Sequence, residues 1–203
     1  MAGGHMKYRA LSRKSSHRQA LLRNLVTSLF KHEAISTTWH KAKEAQRLAE
    51  KVVTLAKKNT EASRRRVEQI LYTPHEIMPK IFQRIGPRYA ERPGGYTRVL
   101  RIEPLKEDQA ESAILELVDG PKDMRFAMTA KTLAALPEKQ MMNEVTAKNV
   151  QKATRFRKDG MSELRSMVER MRELNENEHE AKAPYLRPVY PEISFKKDMH
   201  YPQ

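Results

Sequence analysis

The chain has 203 residues, with 39 Lys plus Arg against 25 Asp plus Glu, a formal net charge of +14 and no cysteine. The missing cysteines exclude disulfides, thiolate chemistry and every Cys-based zinc site, and no apolar run reaches the ~18 residues that a membrane span needs. The charge is uneven: residues 1–100 carry 21 basic and 7 acidic side chains, whereas residues 101–203 carry 18 of each. So unbalanced a first half calls for a polyanionic partner, nucleic acid foremost. Nothing near the start pairs a charged segment with an apolar signal core, so a soluble, unsecreted protein in a reducing compartment is expected.

The first 30 residues contain Lys7, Arg9, Arg13, Lys14, Arg18 and Arg23 and no acid, a pattern that suits an organellar import signal and an RNA-binding arm equally. Residues 1–12 read as that arm. Ser16 followed by Gln19 is a capping-box pattern, and Leu21, Leu22, Leu25, Val26 and Leu29 predict a helix over about 17–31. "AISTT" (34–38) reads as a brief strand, and a helix over 39–58 follows with an apolar stripe from Ala42 to Ala56. A third helix is predicted with its cap near Asn59 or Thr60, and a fourth near 76–85, with Pro74 and Pro79 marking the break between them. Residues 85–95 read as a loop, and the alternation in "GYTRVLRIEP" and "SAILELVDG" predicts an antiparallel hairpin.

Residues 13–120 therefore form an expected α+β core domain, a compact helical cluster with a small, mostly antiparallel sheet. Beyond Asp119-Gly120-Pro121, helices over 123–136, 140–158 and 161–177 predict a helical extension spanning 121–180. Spaced prolines make 181–203 an extended tail. Met161, Met167 and Met171 with Leu164, Val168 and Leu174 draw a stripe for packing on another helix, within the chain or on a neighbouring protein.

Enzyme chemistry is not visible. The seven His residues are scattered without metal-ligand spacing, and there is no Walker loop, nucleophile elbow or dinucleotide turn. No catalytic residue, metal, cofactor or small-molecule substrate is expected, and Glu44 and Glu50 read as partners in surface ion pairs. Basic clusters are the stronger signal. Arg64, Arg65 and Arg66 lie near a helix start, where the dipole disfavours cations; a phosphate partner would relieve this, as would pairing with Glu61 and Glu68. In "ERPGGYTRVLR" Arg92, Arg98 and Arg101 supply cations, Gly94 and Gly95 permit close backbone approach, and Tyr96 is either a stacking ring or a core aromatic.

The ordered set "RKSSHRQALLRNL", "HEAISTTWHKAKEAQRLAEKVVTLAKKN", "SRRR", "IFQRIGPRYAERPGGYTRVLRI" and "AILELVD" resembles the bacterial-type large-subunit ribosomal protein family seventeen. The resemblance spans about residues 7–119. It implies a structural constituent of the large ribosomal subunit, bound to its rRNA near the polypeptide exit region. It also implies rRNA contacts at Arg13, Lys14, Ser15, Ser16, His17, Arg18, Arg23 and Asn24, then at Lys41 and Lys43, at Arg64 and Arg65, and at Gly94, Gly95, Tyr96, Thr97 and Arg98. The basic pattern adds Lys7, Arg9, Arg66 and Arg92 to that set. His40 stands where the family commonly has Pro, and the arm before Arg13 is shorter than in bacterial members. The ~80 residues after the family core look like the extended forms of mitochondrial, particularly fungal, ribosomes. The mitochondrial matrix is thus the expected setting, with the bacterial cytoplasm as the alternative. Neighbouring ribosomal proteins are expected partners of 121–203, without membrane insertion. A general RNA- or DNA-binding factor working off the ribosome is the competing reading.

Overall fold

Helix-end carbonyls without an intrahelical donor need other partners, and in this chain some come from another element: Arg23 donates to the Ile70 carbonyl and Lys80 to the Lys31 carbonyl. The computed structural model describes residues 8–104, 106–136 and 141–181, with side chains to residue 175. Helix α1 (Ser15–His32) buries Leu22, Val26, Leu29 and Phe30. It stops at Glu33, which takes a left-handed conformation (φ 65°) usually left to glycine and returns its N–H to the Leu29 carbonyl at 2.7 Å. Glu33 is fixed there by its carboxylate, buried between Lys80 (3.1 Å) and Arg88 (2.8 Å). Burial raises the Glu33 pKa, but the two cations outweigh it and hold the group below its ordinary value.

The chain then runs into β1 (Ala34–Thr38) and α2 (Trp39–Lys58), whose Ala42, Ala45, Ala49, Val52, Val53 and Ala56 form the central seam of the core. Helix α3 (Glu61–Ile70) is capped by the Thr60 hydroxyl, which accepts from the Ser63 N–H. Helix α4 (Pro74–Lys80) continues through a π-helical turn (Ile81–Ile85) into the short α5 (Gly86–Arg88). Strands β2 (Thr97–Ile102) and β3 (Ser112–Leu117) complete an antiparallel sheet of order β1-β3-β2, in which Ser36, Ile114 and Leu100 lie side by side. Ala113, Leu115 and Leu117 face the helical core, leaving Ser112, Ile114 and Glu116 on the other face.

Helices α6 (Met124–Ala135), α7 (Glu144–Thr154) and α8 (Gly160–Ala181) form a second, smaller cluster around Phe126, Ala130, Ala153 and Leu164. Gly160 allows α8 to start against α7, since a Cβ there would fall 2.6 Å from the Thr154 carbonyl oxygen. Met167 and Val168 pack into this cluster, while Met161 stays exposed.

The α+β class and the order of elements agree with the sequence. Three local expectations need correction. The Ser16–Gln19 capping box is not made: Lys14 is the N-cap of α1, and no side chain caps that helix. The fourth helix begins at Pro74, and Pro79 lies inside it, because Pro74 occupies a first-turn position where no N–H is needed. Part of the expected loop is helical as far as Arg88. Lys7 and the Pro-rich tail over 182–203 lie outside the described residues.

Candidate nucleic-acid interface

Two helix N-termini are brought to one corner of the core domain. Neither α1 nor α2 has an acidic residue in its first turn, and neither has a side-chain cap. Apart from the Trp39 N–H, which donates to the Glu111 carbonyl at 2.8 Å, their first-turn N–H groups have no side-chain cap, and no first-turn acid offsets their positive dipole ends. Glu44, one turn into α2 and almost fully buried, draws the two starts together: its carboxylate accepts from Arg18 Nη2 of α1 at 2.7 Å and lies 3.6 Å from Arg9 Nη1. Arg18 also donates to the Arg9 carbonyl (2.6 Å) and lies over the Tyr8 ring (4.6 Å). Arg13 donates to the Leu11 carbonyl at 2.8 Å, so the arm is folded over the start of α1.

Around this corner Lys14, Ser15, Ser16 and His17 are exposed, and Lys41 and Lys43 rise from the first turns of α2. Among the described residues no carboxylate forms an ion pair with Arg13, Lys14, Lys41 or Lys43. On the far side of the α2 start, Trp39 carries Lys43 over its ring at 4.7 Å and Arg101 at 4.3 Å. Unpaired cations, hydroxyls and two positive helix ends together make a surface for the phosphate oxygens of a nucleic acid.

The remaining expected residues go elsewhere. Arg23 caps the end of α3 by donating to the Ile70 carbonyl at 2.9 Å and lies over Tyr72, while the neighbouring Asn24 is exposed. Arg64, Arg65 and Arg66 are exposed on α3, beyond the opposite end of α2, whose 20 residues span ~30 Å. There Arg64 donates twice to Asn59 Oδ1 (3.0 and 2.9 Å), Arg65 pairs with Glu61 and Arg66 donates to Gln69.

The "GGYTR" segment turns inward. Gly94 and Gly95 are exposed, and Gly95 takes φ 65° with open space where a Cβ would stand. Tyr96 is a core aromatic packed on Tyr89, with ring centroids 5.2 Å apart. The Tyr89 hydroxyl donates to the Val118 carbonyl, and its burial raises its pKa far above the ordinary phenol value. Glu50 is not a surface ion-pair partner: its carboxylate accepts from the Thr97 N–H (2.9 Å), the Thr97 hydroxyl (2.6 Å) and the Tyr96 N–H (3.3 Å).

Arg92 and Arg98 are internal cations as well. Arg92 pairs with Asp119 at 2.8 Å and lies over Phe156, while Arg98 bridges Glu116 (2.6 Å) and Asp123 (2.7 Å). Burial lowers the Arg98 pKa, but its two carboxylates outweigh this and raise it. Burial likewise raises Asp123, yet the Asp119 N–H, Arg98 and the Phe126 N–H hold it below its usual value. At Glu116 burial prevails and the pKa is raised. Asp123 also caps α6, and Arg157 donates to the Gly120 carbonyl at 3.0 Å, so this network joins the sheet to the extension. The sequence reading missed Glu44 as the clasp and Tyr8 and Trp39 as arginine supports; the available signal was the nearness of these aromatics to basic clusters.

The family model described as Ribosomal protein L17 matches residues 21–118. The Large ribosomal subunit protein bL17m of Neurospora crassa is 63% identical over 176 residues, which cover 86% of this chain and 91% of that protein. The chain belongs to the ribosomal protein L17 family. The bL17m protein of Schizosaccharomyces pombe is 48% identical over 82% of each chain. The Large ribosomal subunit protein bL17 of Natranaerobius thermophilus is 53% identical over 114 residues, 56% of this chain and 100% of that protein. That bacterial relative is thus too short to hold both the core domain and α6–α8. Family membership makes this chain a structural component of the large ribosomal subunit and not an enzyme. Among the described residues no group of three His, Asp or Glu could hold a metal ion, and no helix is long and apolar enough to cross a membrane.

Proposed function

We propose that this protein binds large-subunit rRNA through the corner where α1 and α2 begin, within a mitochondrial ribosome and near the polypeptide exit region. The observation that carries the reading is the pairing of two acid-free helix starts by Glu44, which concentrates Arg13, Lys14, Lys41 and Lys43 without carboxylate partners. Likeness to the two bL17m proteins over most of the chain, extension included, supports the mitochondrial setting. The extension has a nearly balanced charge and exposes Met128, Met141, Met142, Val145, Met161 and Leu174, a surface suited to neighbouring ribosomal proteins better than to bare RNA.

Replacing Arg13, Lys14, Lys41 and Lys43 together with Gln tests the interface. Binding of the purified full chain to a large-subunit rRNA fragment is expected to weaken, with the slope of log affinity against log salt becoming shallower by about 0.7–0.9 for each phosphate no longer neutralised. Thermal stability is expected to stay close to the parent's. An unchanged slope would place the rRNA on another surface, with the exposed arginines of α3 the next to examine.

A further inference from the structure

We propose that Arg101, supported by Trp39, is a stacking platform for an unpaired nucleobase of the bound RNA; this rests on the rRNA interface proposed above. Trp39 is the single Trp of the chain. Its position at the first residue of α2 is fixed by its N–H, which donates to the Glu111 carbonyl at 2.8 Å. Arg101, near the end of β2, lies 4.3 Å from the centre of its ring, and Lys43 lies 4.7 Å from it. Two cations crowd one indole, an arrangement that favours an anionic neighbour.

Arg101 differs from the other arginines near the sheet in what it leaves open. Its side chain is 61% exposed, and its carboxylate neighbour Glu111 is 3.9 Å away and 54% exposed, so water screens the pair. Arg98, on the same strand, is 21% exposed and gripped by two buried acids. A guanidinium is flat, and RNA bases released from a helix stack on such planes. The indole lies against the Arg101 guanidinium, and 61% of the side chain remains exposed, which leaves room for a base. Lys43, over the same indole, stands beside it to take the phosphate of the same nucleotide. An A-form duplex keeps its bases stacked inside and cannot use such a platform, whereas a loop or bulge can. Arg101 therefore determines preference for unpaired bases, and Trp39 is its positioning residue.

The test compares two probes on the full chain, an unpaired oligoadenylate and an RNA duplex with the same number of phosphates. Arg101→Lys keeps the charge and removes the plane; it should weaken binding to the oligoadenylate by about fivefold or more and change duplex binding by less than about twofold. Trp39→Leu should show the same selective loss, and circular dichroism checks that both variants fold. In the parent, saturating oligoadenylate should change the emission of Trp39. Equal losses on both probes, no loss on either, or unchanged emission at saturation would overturn the platform. A Lys14→Gln, Lys41→Gln variant separates the two claims: if it binds both probes as the parent does, the wider interface fails. If it weakens both while Arg101→Lys discriminates between neither, the platform alone fails.

Discussion

Arg98 and Arg101 are three residues apart on β2, and they belong to two regions that use arginine in opposite ways. Residues an odd number apart on a strand point to opposite faces of the sheet. Arg98 faces the extension and meets Glu116 and Asp123, both almost fully buried; Arg101 lies at the corner where α2 begins and meets Trp39 and a distant, exposed Glu111. The junction with the extension neutralises its cations inside the protein: Arg92 with Asp119, Arg98 with Glu116 and Asp123, Arg157 with Asp123 and Glu163. The α1/α2 corner has one clasping carboxylate, Glu44, for Arg9 and Arg18, and leaves the lysines around it without one. A dense run of basic residues therefore does not by itself mark a nucleic-acid surface. What distinguishes the α1/α2 corner is the set of cations, Arg13, Lys14, Lys41 and Lys43, that no carboxylate among the described residues has paired.

Substitutions in the two regions should have opposite effects, on stability at the junction and on RNA affinity at the corner. Arg98→Ala leaves the Glu116 and Asp123 carboxylates buried without their cation, and loss of one partner of such a network costs about 3–5 kcal/mol. Urea denaturation should show that loss, while the fraction that remains folded should bind rRNA with parental affinity. The four-residue Gln variant of the corner should do the reverse. If Arg98→Ala lowered affinity at unchanged stability, the junction would belong to the RNA surface and the distinction would collapse.

Sequence carried the helices and strands well because each is written in a short periodic pattern: the alanine-rich stripe of α2 and the alternation from Tyr96 to Ile102 suffice to place them. It carried the first turns of α1 and α2 as basic segments for the same reason. It could not show which cations are free. Glu116 and Asp123 are 18 and 25 residues from Arg98, and Glu44 is 26 residues from Arg18, so their pairing exists only after the sheet and helices have closed. The left-handed turn at Glu33 was hidden likewise, since what holds it comes from Lys80 and Arg88. Gly94 and Gly95 were legible as places of open backbone, and both are exposed, but Tyr96 and Thr97 after them are buried in the core.

A middle-sized effect separates the regions by pH. Asp123 has a folded pKa below its ordinary 3.8, so its contribution to stability is fully present above that value and is lost as pH falls through the folded pKa. Glu116 has the opposite sign: its raised pKa makes the folded state take a proton first above 4.5, which does not weaken the fold there. Acid loss at the junction is thus expected below about pH 4. Asp123→Asn can still cap α6 but loses the charge facing Arg98 and Arg157, and should cost about 1.5–3 kcal/mol at pH 7. Its stability should then fall less than the parent's between pH 5 and 3, with the Glu33 contribution common to both. An identical fall in the two proteins would show that Asp123 does not govern the acid limb.

The smallest expected effect concerns the segment after Gly95, which lies between the two regions. Glu50 binds the Tyr96 and Thr97 N–H groups and the Thr97 hydroxyl, three donors on one carboxylate. Glu50→Gln keeps one carbonyl oxygen for these donors but points an amide NH2 toward others, so about 1–2 kcal/mol should be lost from the start of β2. Gly95→Ala should cost a similar ~1–2 kcal/mol, through the left-handed conformation alone, since the space around its Cβ is open. Neither change touches a cation of the α1/α2 corner. Both variants, once folded, should therefore bind rRNA within about twofold of the parent, because the order of this segment supports β2 and not the ligand. A loss of affinity well beyond the loss of stability, in Gly95→Ala above all, would mean that the exposed backbone at Gly94 and Gly95 approaches RNA directly, and that the interface extends from the corner along α2 to the far end of the sheet.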